Sequence, residues 1–339
     1  MTSKNLTEFD LIDRLFKPLA KEYEGSLGLV DDAAILHTLP GRDRVITSDC
    51  LVCDVHFRKS DPPESVADKA LGVNLSDLAA MGATPEAYLL AIAIPEGTDI
   101  PWLEAFAKQL GITQGRHNIC LIGGDTVSTP GPMSPMTVTI TAIGHVPTGS
   151  ALKRSTAQPG DDIYVSGTIG DAALGLCVLG DTIKGLSDSS VQFLSDRYQY
   201  PQPRIKLGEA LSMSGLVHAA CDISDGLKAD LENICRASGV NAEIDADTIP
   251  LSAAASSALS MDTSCFDSII FGGDDYELIF TMPPGNDQTL QELGQKSTTS
   301  ITRIGHITKP ESDTLTVVIK GNNAKYLGTN KPQGFIHRW

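Results

Sequence analysis

The 339-residue chain is short of basic residues, with 26 Lys and Arg against 42 Asp and Glu, for a formal charge of −16. Nucleic-acid backbones and anionic membranes are held mainly by clustered Lys and Arg, so neither is expected as a partner. No apolar run approaches the roughly 18 to 20 residues that span a bilayer. The N-terminus lacks the basic and apolar stretches of a signal peptide, and a soluble, cytoplasmic protein is expected. The seven cysteines are an odd number, mostly within apolar stretches, which suits reduced, buried thiols better than a disulfide framework. The C-x-x-C pair Cys50–Cys53 lies in strand-like RVITSDCLVCDVHF, where a separation of three sends the thiols to opposite faces. No second Cys/His pair completes a zinc site. Familiar nucleotide cradles are missing as well: there is no G-x-x-x-x-G-K-[ST], and no kinase glycine loop with V-A-I-K and H-R-D. Asp222, Ser224 and Gly226 also miss the ligand positions of a calcium-binding EF-hand.

What is present is an alternation of β-rich and helical segments. Leu6, Phe9, Leu15, Phe16 and Leu19 recur at helical spacing and predict a surface helix. RVITSDCLV, AYLLAIAIP, NICLIGGDTV and MTVTITAIGHV read as strands, while ESVADKALGVNLSDLAAMGA and DIPWLEAFAKQLGITQGR read as helices. The turn-rich GHVPTGSALKRSTAQPGDD then marks a domain boundary near residue 150, and the length also favours two domains. The second half opens with the strand DIYVSG, continues through helical DAALGLCVLG and RIKLGEALSMSG, and returns to strands in SIIFGGDDYELIFTM and TLTVVIKG. The order is not a regular βαβ alternation, so an α+β class with mixed sheets covered by helices is expected. SAAASSALS reads as a mobile helix or loop. In VSGTIGDAALGL, Gly167 and Gly170 lie between a strand and a helix start, so the backbone there could present N–H groups to an anion or simply allow tight packing.

Seven aspartates stand at the ends of apolar segments beside small residues: Asp31, Asp32, Asp49, Asp77, Asp125, Asp222 and Asp225. Small neighbours let a bound ion or phosphate come close. Taken alone, Asp77 and Asp225 fit helix N-caps as well as ligands. Taken together, seven such carboxylates would repel one another unless a cation joined them. Magnesium combines carboxylate oxygens with substrate phosphates and water, so an acidic protein could still hold a polyphosphate.

The blocks DDAAIL, TSDCLVCDVHF, ALGVNLSDLAAMGATP, LIGGDTV, LKRSTAQPGDDIYVSGTIGDAALGL, DISDGL and FGGDDYELIFT, in this order across almost the whole chain, resemble the thiamine-monophosphate kinase family. The resemblance implies ATP as co-substrate, Mg²⁺, and thiamine monophosphate as acceptor. It makes Asp32, Thr47, Asp49, Asp77, Asp125, Asp222 and Asp225 metal positions. Ser48, Gly124, Asp125, Arg154 and Ser224 match nucleotide positions, with Arg154 as charge stabiliser, and His56, Asp274 and Phe335 match substrate positions. It further implies a homodimer whose N-terminal sheets join into a barrel. Residues 1–150 would then be the ATP/Mg-binding and dimerisation domain, and 151–339 an α/β domain completing the nucleotide and substrate cleft. Three positions depart from the family pattern. Val30 replaces the usual glycine before the paired aspartates, Asp274 replaces a glutamate, and the C-terminal block is GFIHRW, where Trp339 could share the stacking role of Phe335. Another ATP-using enzyme of the wider superfamily, such as a selenophosphate synthetase, and a non-catalytic nucleotide or metal sensor are the alternatives.

Overall fold

The computed structural model describes residues 7–310 and 315–328. They divide into two compact units, one running up to Leu78 and including Thr84–Gly149, the other combining Ala79–Ala83 with the residues from Ser150 onward. The short Ala79–Ala83 segment is fastened into the second unit by the Leu152 N–H, which donates to the Met81 carbonyl at 3.1 Å.

The first unit begins with α1 (Glu8–Leu11), which widens to a π turn (Ile12–Phe16) and tightens to a 3₁₀ turn (Lys17–Ala20). The single helix predicted here is therefore broken, and Pro18, which has no N–H to continue an α-helical ladder, sits at the break. Leu15, Phe16 and Leu19 are buried as their spacing requires, whereas Phe9 is 75% exposed; Leu6 lies outside the described residues. One four-stranded sheet follows, in the order β1-β4-β2-β3, built from β1 (Arg42–Val52), β2 (Thr84–Pro95), β3 (Cys120–Thr129) and β4 (Thr137–Pro147). β4 runs antiparallel to β1 and β2, while β2 and β3 are parallel. Parallel neighbours need a crossover, and helix α3 (Ile100–His117) supplies it. Helix α2 (Pro63–Ala80) is buried almost all round, with one opening: residues 65–76 and 78–80 are buried and Asp77 between them is half-buried.

The second unit is a six-stranded mixed sheet in the order β10-β7-β9-β5-β8-β6. Its strands are β5 (Asp162–Ser166), β6 (Ala219–Asp222), β7 (Asn241–Asp245), β8 (Leu278–Met282), β9 (Ile301–Thr308) and β10 (Val317–Lys320). The helices are α4 (Asp171–Leu179), α5 (Asp188–Gln199), α6 (Ile205–Ser214), α7 (Leu227–Ser238), α8 (Ala253–Met261), α9 (Cys265–Phe271) and α10 (Asp287–Ser297). β5, β6 and β8 are buried along their whole length, which is why they read as short unbroken apolar runs. One such run misleads. SIIF, expected as strand, belongs to α9, where Phe266, Ile269 and Ile270 bury one helical face; periodicity cannot separate strand from helix over so few residues. SAAASSALS forms α8, capped by Ser252, whose Oγ accepts the Ala255 N–H at 2.9 Å.

All seven cysteines are thiols, but only Cys221, Cys235 and Cys265 are buried; Cys50 is exposed on β1, and Cys53 lies just beyond that strand's end. Among the described residues no helix is long and apolar enough to cross a membrane.

Candidate active site

The pleat of β1 sorts its candidate residues, because successive side chains on a strand point to opposite faces. Thr47 donates its hydroxyl to the Asp77 carboxylate on α2, and the Asp49 N–H donates to Asn74 Oδ1, also on α2, at 3.1 Å. Ser48 points the other way, its Oγ 2.9 Å from Thr141 Oγ1 on β4. Asp49 and Asp125 do not sit at strand ends as expected; both are in mid-strand. The first unit's sheet leaves open positions along its strands, and an acidic side chain fits at any of them. Asp77 does not cap a helix either, since it stands well inside α2.

A cavity of about 590 Å³ opens on this unit, lined among others by Asp31, Asp32, Gly124, Asp125 and Thr141. Its size suits a small-molecule ligand. Gly124 is required by close packing, because a Cβ there would lie 1.8 Å from the Leu90 carbonyl oxygen. Val30 sits at φ −114°, a conformation open to any L-residue, so losing the family's glycine does not strain the backbone at that position. His56 is held by a turn in which its Nδ1 accepts the Val52 N–H at 3.0 Å. The neutral ring therefore carries its proton on Nε2.

In the second unit the candidates sit on two loops joined backbone to backbone. Asp222 ends β6 and is buried. The N–H groups of Ser224, Asp225 and Gly226 all donate to Asp230 Oδ2, at 3.0, 2.9 and 3.1 Å. Asp225 is thus no helix cap; Gly226 holds the N-cap position of α7. Burial, then the neighbouring charge of Asp225, pushes the Asp230 carboxyl up to about 7, against the pull of Arg154. The Ser224 carbonyl accepts the Asp274 N–H and the Ile223 carbonyl accepts the Tyr276 N–H, both at 2.9 Å. The amide and the carbonyl of Ser224 are thus both engaged.

Of the three acids on the second loop, Asp274 is half-buried and the other two are buried. Asp275 is buried and accepts the Gly170 and Ala172 N–H groups at 2.7 and 3.2 Å. The acceptor at the start of α4 is thus the chain's own carboxyl group. Burial pushes Asp275 up to about 8; those two amides oppose the shift, and the charge of Asp171 adds to it. Glu277 is fully buried and accepts Arg197 Nη2 at 2.8 Å, Arg204 Nε at 2.7 Å and Ser166 Oγ at 2.5 Å. Gly167, at φ +60°, makes room for it, since a Cβ there would lie 2.2 Å from Glu277 Oε1. Asp274 and Tyr276 both adopt left-handed backbone, φ 70° and 51°, a strain of about 1–3 kcal/mol each for non-glycine residues. The Tyr276 hydroxyl donates to Asp274 Oδ1 at 3.0 Å. Phe335 and Trp339 lie outside the described residues.

Sequence reasoning did not single out Asn74, Asp230, Asp275, Tyr276 or Glu277. The signal was the density of acids: a third aspartate follows DISDG five residues after Asp225, and GGDDYEL carries three acids in four positions. Among the described residues no three His, Cys, Asp or Glu side chains gather into a metal cluster. The candidate donors are all oxygens, a set that fits Mg²⁺, which takes one or two carboxylates and completes its shell with phosphate and water.

Residues 30–146 match the AIR synthase related protein N-terminal domain, and residues 158–318 match the corresponding C-terminal domain. The chain is 37% identical over 337 residues to the thiamine-monophosphate kinase of Caulobacter vibrioides, covering 98% of this chain and 91% of that one. The solved thiamine-monophosphate kinase of Stenotrophomonas maltophilia aligns with a TM-score of 0.81 at 39% identity, over 93% of this chain and 97% of that one. AaThiL complexed with AMPPCP and TMP aligns at 0.74 and 27% identity, over 98% of each chain. Two matched domains and identity sustained over nearly the whole length lead to one conclusion: the chain belongs to the thiamine-monophosphate kinase family of phosphotransferases.

Proposed function

We propose that the enzyme transfers the γ-phosphoryl group of ATP directly and in line to the phosphate of thiamine monophosphate, yielding thiamine diphosphate and ADP. The acceptor is a phosphate monoester with a second pKa of about 6, so it is largely ionised at neutral pH and needs no side-chain base. Positioning and charge neutralisation then carry the catalysis. The backbone union of two distant motifs supports this most directly. Ser224 on the nucleotide side and Asp274 on the acceptor side are joined by a hydrogen bond of 2.9 Å, so these two candidates share one scaffold within the second unit. The relative that holds AMPPCP, a non-hydrolysable ATP analogue, together with TMP supports the same pair of substrates.

In this reading Asp32, Thr47, Asp49, Asp77, Asp125, Asp222 and Asp225 hold Mg²⁺. Bound with the nucleotide, Mg²⁺ supplies positive charge to the polyphosphate. Ser48, Gly124, Asp125, Arg154 and the Ser224 hydroxyl bind ATP, with Arg154 offering a bidentate guanidinium to phosphate. His56 Nε2–H and the Asp274 carboxylate face thiamine monophosphate, and Phe335 stacks on it. The first unit is the nucleotide-, metal- and dimer-forming domain, and the second brings Arg154, the Asp222–Asp225 loop and Asp274. Exposed Ile46, Leu89 and Val127 on the first sheet support a homodimer in which two such sheets complete a barrel, and sedimentation as a monomer would contradict it. The use of ATP as co-substrate supports a cytoplasmic location.

The test is chromatography of products after incubation with ATP, Mg²⁺ and thiamine monophosphate. Equimolar ADP and thiamine diphosphate are expected. ADP without thiamine diphosphate, or neither product, overturns the assignment.

A further inference from the structure

Three consecutive amides that converge on one point form a concavity for an anion. In the Asp222–Gly226 loop the anion is Asp230 Oδ2, 2.9–3.1 Å from the amides of Ser224, Asp225 and Gly226. A helix cap would be the ordinary role for a carboxylate in the first turn, but α7 starts at Leu227, and the unpaired donors of a helix lie in its own first residues. Asp230 instead takes the amides of residues that precede the helix. Its bonds therefore order the loop. On the carbonyl side the same loop is held by the Asp274 and Tyr276 amides, so it is clamped from both edges. The clamp is buried: Asp230 is 1% exposed, and the Cys221 thiol donates to its backbone carbonyl at 3.6 Å.

We infer that Asp230 is a positioning residue for the metal and nucleotide loop, an internal anion that gathers three amides and so sets the directions of Asp222, Ser224 and Asp225. This rests on the reading that Asp222 and Asp225 bind the metal–nucleotide complex. A loop already shaped by Asp230 need not be ordered by the ligand, which removes part of the entropic penalty of binding. It also closes the amides to phosphate, so the loop meets ATP through carboxylates and the Ser224 hydroxyl.

The experiment is calorimetric titration of the full-length protein with AMPPCP, in the presence of Mg²⁺ and in its absence, at a temperature where every variant is folded by circular dichroism. Asp230→Ala is expected to weaken Mg·AMPPCP binding by about ten- to a hundredfold, as loss of an outer partner does at metal sites, and to weaken Mg²⁺-free binding, in which only the Ser224 hydroxyl of this loop takes part, by a smaller factor. Amide hydrogen exchange at residues 224–226 should quicken. Asp230→Asn, which keeps one oxygen in place, should recover part of the affinity, and it carries the test alone if Asp230→Ala does not fold. A lowered melting temperature with unchanged Mg·AMPPCP affinity in both variants means a purely structural role and overturns the inference. Asp225→Asn run alongside separates the two levels. If it weakens binding while the Asp230 variants do not, only the positioning role fails; if none of them weakens it, the metal reading of the loop fails as well.

Discussion

The two units hold their acids in opposite ways. In the first, three of the four candidate carboxylates stand on regular structure, Asp49 and Asp125 in mid-strand and Asp77 in the last turn of α2, while Asp32 lies in a bend before β1. In the second, Asp222 ends a strand and Asp225 and Asp274 stand on irregular loops, and each loop is shaped by another acid that is itself buried: Asp230 for one, Asp275 and Glu277 for the other. A strand or helix satisfies its own backbone, whereas a buried loop must find partners for every N–H and C=O. Here carboxylates supply them. Activity and stability should therefore be separable by mutation in the first unit and coupled in the second.

The largest effect should fall on activity alone. Asp125→Asn is expected to lower kcat by about a hundred- to a thousandfold, the range seen when a charge-stabilising group is lost. The melting temperature should be unchanged or higher, because Asp31, Asp32 and Asp125 line one cavity and like charges disfavour one another. Kinetic assay and thermal melting of the same preparation check both halves. A large fall in melting temperature with full activity would erase the contrast between the units.

Glu277→Ala should show the opposite profile. It leaves Arg197 and Arg204, 5% and 18% exposed, without their shared carboxylate, and breaking a buried pair in this way costs about 3–5 kcal/mol. Urea denaturation measures this directly. A loss under about 1 kcal/mol, typical of surface pairs, would show that the triad does not anchor the loop.

This contrast also explains what could be read in advance. The four strands of the first sheet and helices α2 and α3 were legible because their apolar periodicity is long. Asp125 and Asp49 are legible as acids at the ends of apolar segments beside small residues, but the strands run on past both. The anchors Asp230, Asp275 and Glu277 were not legible, since an acid inside a loop-forming passage looks solvated in sequence. Only the fold reveals that Gly170, Ala172, Ser224, Asp225 and Gly226 aim their amides at these carboxylates. SIIF failed for a different reason, its length being too short to distinguish a period of 2 from one of 3.6.

Asp275 gives the second unit a pH dependence of its own. Its carboxyl is raised by burial from 3.8 to about 8, so between these values the folded state keeps a proton that the unfolded state has lost. Stability from this group is complete below the unfolded value, falls as pH rises, and is lost above about 8, with a slope of at most about 1.4 kcal/mol per pH unit. Asp275→Asn cannot titrate and also gives up one acceptor for the α4 amides, which lowers its stability equally at all pH. Denaturation between pH 6 and 9 should show the variant gaining on the wild type up to about pH 8 and running parallel above it. Parallel curves throughout would mean that the Gly170 and Ala172 amides keep Asp275 ionised.

The finest distinction lies within the second loop, between Asp274 and the residue that orients it. Asp274→Ala should weaken thiamine monophosphate by about 1.5–3 kcal/mol, the worth of a hydrogen bond to a charged group, and leave the Michaelis constant for ATP unchanged. Asp274→Glu, which restores the longer side chain of the family, should shift the same constant by displacing a bridging water. Tyr276→Phe removes only the hydroxyl that donates to Asp274 Oδ1 at 3.0 Å, and the ring still fills its buried site. Its effect should be smaller, about 0.5–1.5 kcal/mol on the same substrate. The strained backbone at Tyr276 is unchanged by the substitution, so stability should hardly move. If the hydroxyl acts through Asp274, Tyr276→Phe adds nothing once Asp274 is alanine, because residues in contact are not additive. Additive losses in the double variant would mean that Tyr276 touches the substrate itself, and equal losses for both substrates would move the pair from acceptor recognition into the scaffold.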